Sequence, residues 1–192
     1  MMAVQIVAWA ATLRTVYLTN PSLLGERAAA TRHANTQAFD RVLFPAFILT
    51  TLGCAFSAAA QHRLRPAAPH LPLAWQAAAL PAFAAAVALE CAALVTNRWF
   101  SSVVRLQPDR GQRVCSAGVY AAVRHPAYAG VLLQAAAEAV LLQSSWAAAW
   151  CGARAAVIVV RAALEDGLLR RELPGYAEYA AHVRWRLVPG VW

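Results

Sequence analysis

Between positions 118 and 130 the chain reads Gly-Val-Tyr-Ala-Ala-Val-Arg-His-Pro-Ala-Tyr-Ala-Gly, a run that gathers Tyr120, Arg124, His125 and Tyr128 just ahead of a long apolar stretch. Pro126 suits the first turn of a helix, where its missing N–H is no loss, so His125 falls near the helix N-cap. The unpaired amides and positive end of such a helix attract an anion such as a carboxylate. Arg124 offers a forked donor to the same anion, or else snorkels at a membrane interface. Gly130, one turn beyond Pro126, permits close approach of a ligand or of a neighbouring helix. Tyr120 and Tyr128 carry rings able to cover an adenine or a lipid chain and hydroxyls able to reach polar groups.

A second set lies further on. Glu165 and Asp166 follow Arg161, which is one turn before Glu165. That spacing makes an i, i+4 salt bridge, or leaves a carboxylate to bind an ammonium, a ribose or a sulfonium. Glu90 and Glu138 are set inside apolar stretches, where an ionisable group is expensive and points to function; for Glu138 the alternative is a pairing with Arg154.

The elements that position these residues follow from the hydropathy. From Ala127 to Val160 only Glu138 and Arg154 are charged, and Gln143-Ser-Ser145 is the polar break near the middle. The stretch is too long for one crossing of about 20 residues and barely enough for two, so it reads as a helical hairpin. Its two ends return to one face. Arg124-His125 at the entry and Glu165-Asp166 at the exit are therefore expected to be neighbours.

With 60% hydrophobic and 14% charged residues, the chain departs from soluble domains, in which about a quarter of residues are charged. It is read as one all-α integral membrane domain with about five transmembrane helices, at about 2–18, 42–60, 71–95, 128–143 and 146–163, the cofactor-binding part being 97–192. The first segment holds Arg14; its start lacks a basic n-region and no clear cleavage site follows, so it is read as an uncleaved helix. All 17 basic residues are arginine, which with the abundant alanine suggests a GC-rich bacterial genome and an inner-membrane location. Arginines crowd the first and third loops and the C-terminal segment, whereas the second loop has Arg63 and Arg65 and the fourth none. The positive-inside rule then puts the N-terminus outside and the C-terminus, with the Arg124/Glu165 face, in the cytoplasm.

Other classes are disfavoured. The arginines are dispersed among membrane-flanking loops without a nucleic-acid motif. The five histidines form no ligand pair at helical spacing, and Cys54, Cys91, Cys115 and Cys151 have no C-x-x-C spacing, so no metal is expected and the cysteines read as small buried hydrophobes. No Walker loop or Gly-x-Gly-x-x-Gly is present.

Asn97-Arg-Trp-Phe-Ser-Ser-Val-Val-Arg-Leu-Gln107, Asp109-Arg-Gly111, the 118–130 run, Leu164-Glu-Asp166 and Glu172-Leu-Pro-Gly-Tyr-x-Glu-Tyr179 together resemble the isoprenylcysteine carboxyl methyltransferase family, in particular its short bacterial members. The family's usual Gly-Pro-Tyr is here Gly118-Val-Tyr120. The resemblance implies an S-adenosylmethionine-dependent membrane enzyme with a cytoplasmic cofactor pocket and a lipophilic or lipidated substrate entering from the bilayer. It implies Arg124 and Glu165 as catalytic residues, and Tyr120, Arg124, His125, Tyr128, Gly130 and Glu165 as cofactor contacts. Methyl transfer to a carboxylate needs no general base, since the acceptor is anionic at pH 7; an amine acceptor would call on Glu90, Glu138 or Glu165. The competing readings are an NADPH-dependent lipid or sterol reductase and a non-catalytic membrane scaffold.

Overall fold

A computed structural model describes residues 2–19, 21–29, 33–67 and 69–192. Among these residues the chain forms seven α-helices and no strand: α1 (Met2–Thr19), α2 (Pro21–Ala28), α3 (Asp40–Leu64), α4 (Leu73–Thr96), α5 (Pro126–Leu141), α6 (Ser145–Glu172) and α7 (Tyr176–His182). Arg32, one of the first-loop arginines behind the orientation, lies outside the described residues.

The five apolar segments all become helix, yet only three of the described helices, α3, α4 and α6, are long and apolar enough to cross a membrane. At 1.5 Å per residue, α5 with 16 residues extends only about 24 Å, and α1 with 18 carries Arg14. The hairpin is tight. Ser144 caps α6 by accepting the amide of Ala147 at 3.1 Å, and Gln61 Oε1 at the end of α3 accepts from the Ser144 hydroxyl and the Trp146 amide at 2.8 and 3.0 Å. Gln143 makes the turn with φ of 51°, the left-handed conformation.

Helices α4 and α5 pack on each other, as do α3 and α6, and α5 joins the two pairs by packing on α6. Small residues set many of these contacts: Cys54, Ala58, Ala135, Ala147 and Cys151 form one buried cluster, and in another Ala79 and Ala137 pack with the larger Phe83 and Leu141. Such residues let helix backbones approach closely, the main source of association where no hydrophobic drive exists between helices. Large side chains including Leu49, Leu52, Phe56, Trp75 and Val160 are exposed, as expected of a surface that meets lipid.

Two buried ion pairs lock the bundle. Glu138 pairs with Arg154 between α5 and α6, the helix–helix pairing anticipated for Glu138. Asp40, fully buried at the start of α3, receives both Nε and Nη2 of Arg161 at 2.7 and 2.9 Å and the amide of Val104 at 2.6 Å. Arg161 also donates to the Ser102 carbonyl at 2.7 Å, tying the 97–107 segment to α3 and α6.

Candidate functional site

Where the end of α4, the start of α5 and the end of α6 meet, the 97–115 segment and α7 close around a cleft of about 800 Å3, part of it open to solvent. The 97–115 segment is held as a unit. Gln107 donates to the Trp99 carbonyl at 2.5 Å, and Trp99 Nε1 to the Arg110 carbonyl at 3.3 Å. Arg105 forks onto both oxygens of Glu26 at 2.8 and 2.9 Å, which binds the segment to α2. Burial would raise the Glu26 carboxyl, but hydrogen bonds from Arg105 and Ser101 and the charges of Arg105 and His33 outweigh it and hold the group below its ordinary value.

The first turn of α5 supplies one wall. His125 is the N-cap and Pro126 opens the helix, so Ala127 and Tyr128, which line the cleft, belong to the turn whose amides lack intrahelical acceptors. The His125 and Tyr128 rings stack, with centroids 5.6 Å apart and planes at 15°. Tyr128 donates its hydroxyl to Glu165 Oε2 at 2.5 Å, and the Arg161 guanidinium stands 5.6 Å from its ring.

Behind that wall is Asp166, which has no exposed surface. It accepts from Arg124 Nε and Nη2 at 2.7 and 3.2 Å, from the Tyr176 hydroxyl at 3.0 Å, from Arg186 Nε at 3.0 Å and from Arg170 Nε at 3.1 Å. Arg124 also donates Nη1 to the carbonyls of Val183 and Arg184, and the amides of Arg124 and His125 donate to the carbonyls of Trp185 and Arg186. The C-terminal segment is thereby clamped to the α5 entry. Burial pushes the phenols of Tyr120, Tyr176 and Tyr179 well above their ordinary range, with the Asp166 charge adding to the effect at Tyr176, so all three remain donors at neutral pH.

Five of the six residues expected at the site, Tyr120, Arg124, His125, Tyr128 and Glu165, do line the cleft. Gly130 does not. It faces α4, where a Cβ would stand 2.6 Å from Glu90 Cγ and 3.0 Å from the Ala86 carbonyl oxygen, so its lack of a side chain serves helix packing. Arg124 does not present a free fork to an anion. Its contacts with Asp166, Val183 and Arg184 engage four of the five N–H groups of a guanidinium. Nor does Arg161 pair with Glu165, because Asp40 offers it a buried bidentate partner.

Arg113 was not singled out by sequence, and Asp166 only as the partner of Glu165 in an acidic pair. Asp166 adjoins Glu165 but points about 100° away around the helix, which makes one carboxylate a cleft residue and the other an internal anchor. Arg113 is exposed, lines the cleft, and makes no ion pair or hydrogen bond among the described residues. It is a cation available to a ligand.

The model of the isoprenylcysteine carboxyl methyltransferase family matches residues 77–171, from α4 through α5 and nearly to the end of α6. No curated protein matches the chain.

Proposed function

The chain belongs to the isoprenylcysteine carboxyl methyltransferase family through residues 77–171, and on that premise we propose that the cleft binds S-adenosylmethionine and serves methyl transfer to a lipophilic carboxylate. The observation that carries this reading is the pairing of Glu165 with Tyr128 beside the His125 ring, within a cleft that also holds the unengaged Arg113.

The donor set fits the cofactor. The cleft is lined by a carboxylate, a guanidinium and aromatic rings, the few convergent polar groups on a partly apolar wall that a small-molecule site uses. Glu165 answers the cationic sulfonium or ammonium, Arg113 the carboxylate of the amino-acid part, and the rings of Tyr128, His125 and Trp99 a purine face. When bound, S-adenosylmethionine supplies an electrophilic methyl group carried on a sulfonium.

The chain's own residues then position and desolvate. Tyr128, fixed through Glu165, His125 and Arg161, presents a ring of set orientation. Arg124 acts through Asp166 and the C-terminal segment as a positioning residue for the α5 entry. Val103, Val104 and Leu169 give the cleft apolar lining, which limits water around the reacting groups and strengthens their electrostatics. A carboxylate acceptor is already ionised at pH 7 and asks no residue to take a proton.

Calorimetric titration of the detergent-purified protein with S-adenosylhomocysteine, with NADPH as comparator, tests the reading. Micromolar binding of S-adenosylhomocysteine alone supports it; binding of NADPH alone, or of neither, overturns it.

A further inference from the structure

Away from the cleft, the bundle interior brings together three residues from three helices: Cys54 of α3, Glu138 of α5 and Cys151 of α6. One ligand atom from each lies within 4.8 Å of the others, and the two sulfurs are 3.1 Å apart. All three side chains are buried, as is Arg154, the ion-pair partner of Glu138. Cys54 is 14 residues into α3, which at 1.5 Å per residue places it about 21 Å from the cleft end of that helix.

We propose that Cys54, Cys151 and Glu138 form a binding site for one thiophilic divalent metal ion of the zinc class, joining α3, α5 and α6 within the membrane.

Charge is the first argument. With both thiols protonated, Glu138 and Arg154 cancel and the cluster is neutral. Binding one divalent ion releases two thiol protons, forms two metal–sulfur bonds and leaves two thiolates, the Glu138 carboxylate and the Arg154 cation around it. The sum is again zero and no electrons move. A metal therefore enters this low-dielectric site without an uncompensated charge, the state that membrane interiors penalise most.

Arg154 gives the second, independent argument. Its Nε is buried with no hydrogen-bond partner. A neutral thiol is a poor acceptor, whereas a metal-bound thiolate is anionic and accepts such a donor well. Metal binding thus puts anionic sulfurs into the buried cluster that holds this orphaned donor. A disulfide between the same sulfurs would supply no anionic acceptor.

The coordination chemistry agrees. Zinc–thiolate bonds of about 2.3 Å in tetrahedral geometry hold two sulfurs about 3.8 Å apart, so the pair has only to open by under about 1 Å. Glu138 Oε1 accepts from Gln134 at 2.9 Å and Oε2 from Arg154, and each carboxylate oxygen retains acceptor capacity. The Ala147 carbonyl, 3.7 Å from Cys54 Sγ, is positioned to complete a fourth contact.

The test is metal content together with a cobalt spectrum. Full-length protein purified in detergent without chelator is incubated with zinc or cobalt(II), desalted, and measured by elemental mass spectrometry and absorption. The expected result is about one ion per chain, with a thiolate-to-cobalt charge-transfer band in the near ultraviolet. Cys54→Ala and Cys151→Ala are each expected to lower the retained metal at least about tenfold, while Cys91→Ala retains it. Wild-type protein that retains neither metal overturns the proposal, as does retention in the Cys54→Ala/Cys151→Ala double variant. An intact mass two hydrogens light with no metal also overturns it and assigns a disulfide instead. Because the wild-type cobalt spectrum needs no substitution, misfolded variants leave the proposal open to refutation.

Discussion

Arg124 and Asp166, 42 residues apart in sequence, meet through two hydrogen bonds at the open end of the α5–α6 hairpin, and the same guanidinium reaches on to the carbonyls of Val183 and Arg184. One side chain thereby connects the helix that opens the cleft, the helix that closes it and the C-terminal segment. Lysine keeps the charge but not the fork. Arg124→Lys is expected to lower stability by at least about 2 kcal/mol and to speed proteolytic trimming of residues 183–192. Asp166→Ala, which strands buried cations, should cost about 3–5 kcal/mol. Thermal unfolding in detergent and limited proteolysis read both effects.

Glu165→Gln keeps an acceptor for the Tyr128 hydroxyl and removes the charge. The fold should hold, with a melting temperature near wild type, while affinity for S-adenosylmethionine falls by about tenfold, equivalent to roughly 1.4 kcal/mol. Equal affinity in calorimetry would remove Glu165 from the cofactor's surroundings.

Gly130→Ala separates packing from binding. The added methyl meets Glu90 Cγ and the Ala86 backbone of α4, an overpacking that costs about 1–3 kcal/mol. Stability should fall, and ligand affinity per folded molecule should not. A selective loss of affinity at unchanged stability would return Gly130 to the cofactor contacts.

Arg113→Ala should weaken binding of carboxylate-bearing ligands several-fold at low ionic strength and much less at high salt, because an exposed charge is screened. Titrations with S-adenosylhomocysteine at two salt concentrations check this.

Acid sensitivity should arise in part from Glu26. Its carboxyl is held below 4.5 in the folded chain; a depressed carboxylate contributes stability that is present above its unfolded value and lost as pH falls through the folded one. Glu26→Gln should therefore flatten the decline in stability below about pH 4.5, measured as melting temperature against pH.

Much of this architecture was legible from local pattern. Apolar runs marked the helices, and the 34-residue stretch with its polar break implied the hairpin that brings Arg124 beside the Glu165-Asp166 pair. The Glu138–Arg154 pairing was one of two readings of Glu138, since two opposite charges in one membrane hairpin have few other partners. What stayed hidden depends on how distant elements rotate against one another. Whether Glu165 or Asp166 receives Arg124 is decided by the facing of α6. Asp40 captures Arg161 across 121 residues, and Cys54 meets Cys151 across 97. No spacing rule within a segment encodes such contacts. Gly130 was ambiguous for another reason: a bare backbone looks alike whether a ligand or a helix approaches it, and only α4 decides.

The clamp between the α5 entry and residues 183–186 also sets an order of events during synthesis. The α5 entry leaves the ribosome well before its counterpart: 60 residues separate Arg124 from Arg184, which at about 5–20 residues per second means a delay of roughly 3–12 s. For most of that interval Arg124 lacks its partners, because Asp166 follows it by 42 residues and Tyr176, Val183, Arg184 and Arg186 come later still. The wall of the cleft is thus completed only after the helices it packs against have been made.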